Sequence, residues 1–219
     1  MILFVEGPRS CGKTYLIENF LAKLKEQQKQ YPLDPVFFGV EYYKFYFANH
    51  IKTLGLQDLD ATPALHYFSL GNIMSIMEMN LRPQYQGHTW IFDRAIISAY
   101  AWAVLRNRLT PNRARDEYRA LLSSELYQNC KTIVIAVDRQ TNDNRGKDMF
   151  DGAHSTEEEY HQIGHFLDFG VEFLSNQHRN NSLSFITNTF NETTQRFNDD
   201  SDVAFTVECY RLLGIPPNK

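Results

Sequence analysis

Short apolar runs recur along the chain at Ile2–Glu6, Val36–Glu41, Thr89–Asp93, Thr132–Asp138 and Leu183–Thr187. Continuous apolar character over about four to eight residues, rich in Val, Ile and Phe, is the pattern of a strand buried on both faces. Between these runs the apolar positions change to a spacing of three and four. Leu16, Ile17, Phe20, Leu21 and Leu24 predict a helix over Thr14–Gln30, and similar patterns predict helices over Ala64–Leu81, Ala95–Arg106 and Arg113–Tyr127. Further on, Ser155 and Glu158 stand at capping-box spacing ahead of an apolar stripe of Tyr160, Ile163, Leu167, Val171 and Leu174. Strands alternating with helices predict an α/β fold of three α-β-α layers, with a parallel five-stranded sheet covered on both faces. Such sheets bind ligands at the carboxyl ends of their strands. The positions to weigh are therefore Glu6, Glu41, Asp93 and the segment after Asp138.

The first strand end carries the most specific pattern. Gly7-Pro8-Arg9-Ser10-Cys11-Gly12-Lys13-Thr14 fits G-x-x-x-x-G-K-[ST], a phosphate-binding loop, and it lies between a predicted strand and a predicted helix. Gly7 and Gly12 permit backbone angles that turn successive N–H groups toward a phosphate, and the helix adds its positive end. Lys13 is placed to reach the β- and γ-phosphates of a nucleoside triphosphate, and the Thr14 hydroxyl to ligate Mg²⁺. Cys11, inside the loop, reads either as a reactive thiol or as a small filler.

Length and composition narrow the field. With 219 residues and 43% apolar content, the chain can build a full core as a single domain over 1–219. It has no apolar run near membrane-spanning length and no charged-then-apolar leader, so a soluble, cytoplasmic protein without membrane association is expected. Cys11, Cys130 and Cys209 suggest neither a disulfide framework nor a zinc site. A formal charge of −4 argues against general nucleic-acid coating. Against that average, Arg106, Arg108, Arg113, Arg115 and Arg119 cluster together, reading as a solvated helix face or a surface for phosphate or DNA. The stretch Arg139–Gly152 is polar and basic, with Arg139, Arg145 and Lys147, and suits a mobile lid over about residues 139–153 that excludes water during group transfer. His161 and His165 sit one turn apart, but Gln162 stands where a metalloprotease needs its general base, which disfavours that class.

The third strand separates the nucleotide-using classes. It ends in Asp93, a carboxylate suited to holding Mg²⁺ or its water shell, and the next residue is Arg94. A hydrolytic ATPase needs a base there to polarise water, and Arg94 cannot serve. No Asn-Lys-x-Asp segment for guanine is present. Group transfer is therefore favoured over hydrolysis.

Glu6-Gly7 entering the loop, Asp93-Arg94 ending the third strand, Ser98 at its offset and Glu41 ending the second strand together resemble the thymidylate kinase and deoxynucleoside kinase group. The resemblance implies an ATP- and Mg²⁺-dependent transfer of a γ-phosphoryl group to a deoxynucleotide or deoxynucleoside. It implies donor roles for Gly7, Pro8, Arg9, Ser10, Cys11, Gly12, Lys13, Thr14 and Lys147. Catalytic roles fall to Lys13, Glu41, Asp93, Arg94 and Arg145, and metal contacts to Thr14 and Asp93. Acceptor contacts are implied for Glu41, Tyr42, Phe68, Arg94, Ser98 and Trp102. For each aromatic member, core packing is the favoured reading of the residue itself. Where thymidylate kinases continue Ala-Tyr-Gln, this chain has Ala101-Trp102-Ala103, so the acceptor stays open. A hydroxyl within DNA is an alternative acceptor, and a nucleotide-hydrolysing regulator an alternative class. The assembly state is open, a homodimer included.

Overall fold

Residues 1–28, 36–39, 63–137, 156–177, 183–191, 193 and 196–215 are described by a computed structural model of the chain. In chain order the elements are β1 (Ile2–Glu6), α1 (Lys13–Gln28), β2 (Val36–Gly39), α2 (Pro63–Asn80), a 3₁₀ turn (Pro83–Tyr85), β3 (Thr89–Asp93), α3 (Ile96–Leu105), α4 (Pro111–Leu122) and α5 (Glu125–Gln128). There follow β4 (Cys130–Ala136), α6 (Thr156–Gln177), β5 (Leu183–Thr187), a small β6 (Phe190–Asn191) and β7 (Arg196–Phe197) hairpin, and α7 (Asp199–Leu213). The main sheet runs β2–β3–β1–β4–β5 with every neighbouring pair parallel. Among the described residues, no helix is long and apolar enough to cross a membrane.

Alternation along the strands sorts side chains between two apolar layers. Ile2 and Phe4 of β1, Phe92 of β3 and Val134 of β4 face a core completed by Leu70 and Met77 of α2, Tyr100 and Ala103 of α3, Tyr118 of α4 and Phe166 of α6. Leu3, Val5, Ile91, Ile133 and Ile135 face the other way, onto Leu16, Phe20 and Leu24 of α1 and Phe205 and Cys209 of α7. Phe20 meets Phe205 and Tyr210 edge-on, with ring centroids 6.3 and 5.4 Å apart. Each such side chain contributes roughly 1.5–3 kcal/mol on burial, so the layers hold the strand ends in fixed relation.

Several boundaries differ from the sequence pattern. β4 begins at Cys130 and ends at Ala136, upstream of the expected Thr132–Asp138, because Cys130 pairs with Ile2 at the start of β1. The helix expected over Arg113–Tyr127 starts earlier, at Pro111, behind the cap Thr110, whose hydroxyl accepts from Arg113 N. It also breaks after Leu122. Ser123 Oγ donates to Arg119 O (2.8 Å) and Ser124 Oγ to Leu121 O (2.6 Å), taking up carbonyls at a helix end, and α5 restarts beyond them. On α6, Ile163 and Leu167 are buried, but Val171 is exposed; Phe166 and Gly170 occupy the inward face, a turn of the stripe that periodicity did not predict. Gly170 lies against Tyr118, where an added Cβ would be 2.9 Å from the phenol oxygen. Glu41, Tyr42, Arg145, Lys147, Ser155 and the expected lid lie outside the described residues, as does the side chain of Phe68.

Candidate active site

β1 sits in the middle of the sheet, so the loop leaving it emerges between β3 and β4. Gly7 has φ 146°, and a Cβ there would approach Ile135 O to 2.5 Å; Gly12 has φ 88° and Ser10 φ 60°. These left-handed angles let the loop double back before α1, whose first helical bond runs from Leu16 N to Gly12 O (3.0 Å). Lys13, only 5% exposed, curls over the loop and donates to Gly7 O (2.9 Å) and Pro8 O (2.5 Å). Cys11 is fully buried against the α1 layer, and its Sγ accepts from Lys13 Nζ at 3.4 Å. Its carbonyl accepts from Asn188 Nδ2 (2.9 Å), while Asn188 N donates to Ala136 O (2.7 Å). Asn188, just past the end of β5, thus anchors the loop from the far side. Sequence reasoning missed it, although its place after a strand's carboxyl end was a signal.

Parallel register brings the second motif to the loop. Val5 pairs with Asp93, and Arg94 N donates to Val5 O (2.9 Å). Asp93 Oδ2 thereby meets the Thr14 hydroxyl, which donates to it. An alcohol and a carboxylate oxygen on adjoining elements are a hard-oxygen pair of the kind Mg²⁺ takes beside phosphate oxygens. The donor set fits the metal. Among the described residues no group of three or more His, Cys, Asp or Glu could hold a metal ion. His161 pairs instead with Glu157 at 3.8 Å, and His165 with Arg115 at 2.5 Å.

Arg94 has φ 65°, unusual for a side chain with a Cβ. Such a conformation costs about 1–3 kcal/mol and persists only where its surroundings enforce it. Part of the enforcement comes from Glu159 in the first turn of α6, 1% exposed, whose Oε1 accepts from Arg94 Nη1 at 2.5 Å. Glu159 Oε2 lies 3.3 Å from Arg9 Nε. Arg9 in turn lies over the Trp102 ring, 4.5 Å from its centroid, and Arg106 approaches the same ring at 5.4 Å. The Trp102 ring is thus packed against guanidinium groups.

Glu6, fully buried, reaches under this arrangement to the start of α3. It accepts from Ala95 N (3.0 Å), Ile97 N (2.9 Å), Ser98 N (3.3 Å) and Ser98 Oγ (2.5 Å). A carboxylate at a helix N-terminus satisfies donors that the helix itself cannot. Burial pushes the Glu6 carboxyl above its ordinary range, opposed by the Ser98 hydroxyl and by the Arg94 charge. Ser98 is 2% exposed and its hydroxyl is engaged with Glu6; it braces the motif from within.

The arginine cluster does not form one face. Arg108 is 6% exposed, Arg113 pairs with Glu117 at 3.0 Å, and Arg115 and Arg119 lie over Phe169 at 5.7 and 5.4 Å. The structure therefore brings together the loop, Lys13, Thr14, Asp93, Arg94, Ser98 and Trp102 from the expected set, and adds Glu6, Asn188 and Glu159.

No family model matches the chain, and no curated protein matches it. Among solved structures it is similar to the crystal structure of thymidylate kinase from Ehrlichia chaffeensis, with a TM-score of 0.55, 18% identity and 98% of both chains covered. At that identity the likeness speaks to architecture. The chain shares the α/β fold of that thymidylate kinase structure.

Proposed function

We propose that the protein is an ATP- and Mg²⁺-dependent phosphotransferase that moves the γ-phosphoryl group to a deoxynucleotide or deoxynucleoside, as a thymidylate kinase-like enzyme. The observation that carries this reading is the meeting of Thr14 with Asp93, followed directly by Arg94. It joins a triphosphate loop to a carboxylate while leaving no base for water in the next position. The acceptor oxygen attacks the γ-phosphorus in line, the bond to the β–γ bridging oxygen breaks, and ADP leaves; a phosphate oxygen attacks already deprotonated, whereas a nucleoside hydroxyl gives its proton to the carboxylate assigned to Glu41. Protein catalysis in such a step is positioning and charge stabilisation. The loop N–H groups and Lys13 hold the β- and γ-oxygens, and Arg94 meets the charge at the transfer point. Thr14 and Asp93 would hold Mg²⁺, which neutralises phosphate oxygens when bound. Glu41, Tyr42 and Phe68 are assigned to the acceptor, with Arg145 and Lys147 on the lid. Ser98 is assigned to bracing Glu6.

The dispersal of the arginine cluster among Glu117, His165 and Phe169 favours a small acceptor over DNA. Lys13→Ala and Asp93→Ala test the assignment. Each is expected to lower transfer on the order of 10²–10³-fold or more while leaving the circular dichroism spectrum intact. Full activity in either variant contradicts it.

A further inference from the structure

Three consecutive glutamates open α6, and their fates differ. Glu157 and Glu158 are exposed, but Glu159 is 1% exposed and lies between Arg9 and Arg94. An ionised carboxylate buried this far is several kcal/mol unfavourable unless paired with good geometry. Glu159 meets that condition with a different oxygen for each arginine: Oε1 for Arg94 Nη1 and Oε2 for Arg9 Nε. A planar guanidinium held at one edge is fixed in orientation as well as position.

The second observation is the direction taken by Arg9. It belongs to the loop that wraps the triphosphate, yet its side chain leaves toward α3 and α6, lying on Trp102 and reaching Glu159. Lys13 does the opposite, turning back onto the loop carbonyls of Gly7 and Pro8. The two cations of one loop therefore serve different sides of it.

We propose that Glu159 is a positioning residue that gathers Arg9 and Arg94 into one fork at the transfer point, and that Arg9 serves a phosphate-bearing acceptor and not the ATP-binding loop. The inference rests on the phosphotransferase reading and assigns two residues within it. A nucleoside monophosphate is the acceptor chemistry suited to this fork, since two oriented guanidinium groups match phosphate oxygens bidentately. Because Glu159 lies in the first turn of α6, the same contact ties that helix to both motifs of the site.

The test compares Glu159→Gln, Glu159→Asp and Arg9→Gln with the wild-type chain. Each of the four deoxynucleoside monophosphates is titrated by calorimetry, and a fluorescent methylanthraniloyl-ATP reports the donor site. Glu159→Gln and Arg9→Gln are expected to weaken the monophosphate that the wild type binds by about tenfold or more, with the ATP analogue held within about twofold. Glu159→Asp should recover most of that loss, and in turnover the acceptor KM should move where the ATP KM does not. Equal weakening of both ligands, loss confined to the ATP analogue, no change in either, or a wild type that binds none of the four would overturn the proposal. If Glu159→Gln does not fold, Arg9→Gln decides, because it leaves the Glu159–Arg94 pair in place. Failure of the kinase reading has its own signature: a Lys13→Ala chain that still binds the ATP analogue normally.

Discussion

At the scale of the residue, one buried side chain sets part of the pH response. His66 of α2 is 1% exposed and 4.9 Å from the Tyr100 ring, and among the described residues neither ring nitrogen makes a well-formed hydrogen bond. Glu117 Oε2 approaches it only to 3.9 Å. Burial lowers the imidazole from its ordinary 6.5 to about 4, with Arg108 and Arg113 acting in the same direction and Glu117 against it. The unfolded chain then takes up a proton that the native chain refuses. The stabilisation is full above the unfolded value near 6.5 and is lost as pH falls toward about 4. A shift of this size corresponds to on the order of 3 kcal/mol. His66→Phe keeps the aromatic contacts and removes the titration. Urea midpoints at pH 7 and pH 5 should differ less in that variant than in the wild type; an unchanged difference would contradict the assignment. Residues of this kind were hard to read from sequence. His66 has no motif around it, and Glu159 stands in a run of three glutamates that looks like a solvated first turn. Only packing distinguishes the inward member.

At the scale of elements, period was a sound guide where one rule acted and a poor one where two competed. β1, β3 and β5 have the limits their apolar runs predict. β4 moved because ladder pairing of Cys130 and Lys131 with Ile2 and Leu3 outweighed the local charge of Lys131. The helix before it broke because Ser123 and Ser124 donate their hydroxyls to helix carbonyls, which an apolar-stripe reading does not weigh. Helix α6 supplies a paired prediction. A Cβ at Gly164 meets nothing within 4 Å, so Gly164→Ala should stabilise by about 0.5–1 kcal/mol through helix propensity. At Gly170 the added Cβ would be 2.9 Å from the hydroxyl of Tyr118. That ring is enclosed by Tyr100 and Phe166 at 5.4 and 5.8 Å, so it has little room to shift. Gly170→Ala should destabilise by about 1–3 kcal/mol, partly offset by the same propensity gain. Chemical denaturation of the two variants reads the difference, and equal effects would contradict the packing account of α6.

For the whole molecule, the sheet order explains why the residues assigned to the proposed site share one end. With β1 central and β3 and β4 on either side, the carboxyl ends of the strands bring the phosphate loop, Asp93-Arg94 and Asn188 to one edge, although they are far apart in sequence. The loop and the Asp93-Arg94 motif were legible because their spacing reflects local backbone geometry. The contacts among Arg9, Glu159 and Trp102 were not, because they depend on how α3 and α6 are laid against the sheet. The central claim is that this edge transfers a phosphoryl group and does not give it to water. It is tested most directly with ATP labelled at the γ-phosphorus and Mg²⁺, offered the deoxynucleoside monophosphates, the deoxynucleosides and DNA in turn, beside a reaction with no acceptor. The account predicts label on a deoxynucleotide or deoxynucleoside, with acceptor-independent release of phosphate far slower. Brisk release of labelled phosphate with no labelled acceptor would contradict it.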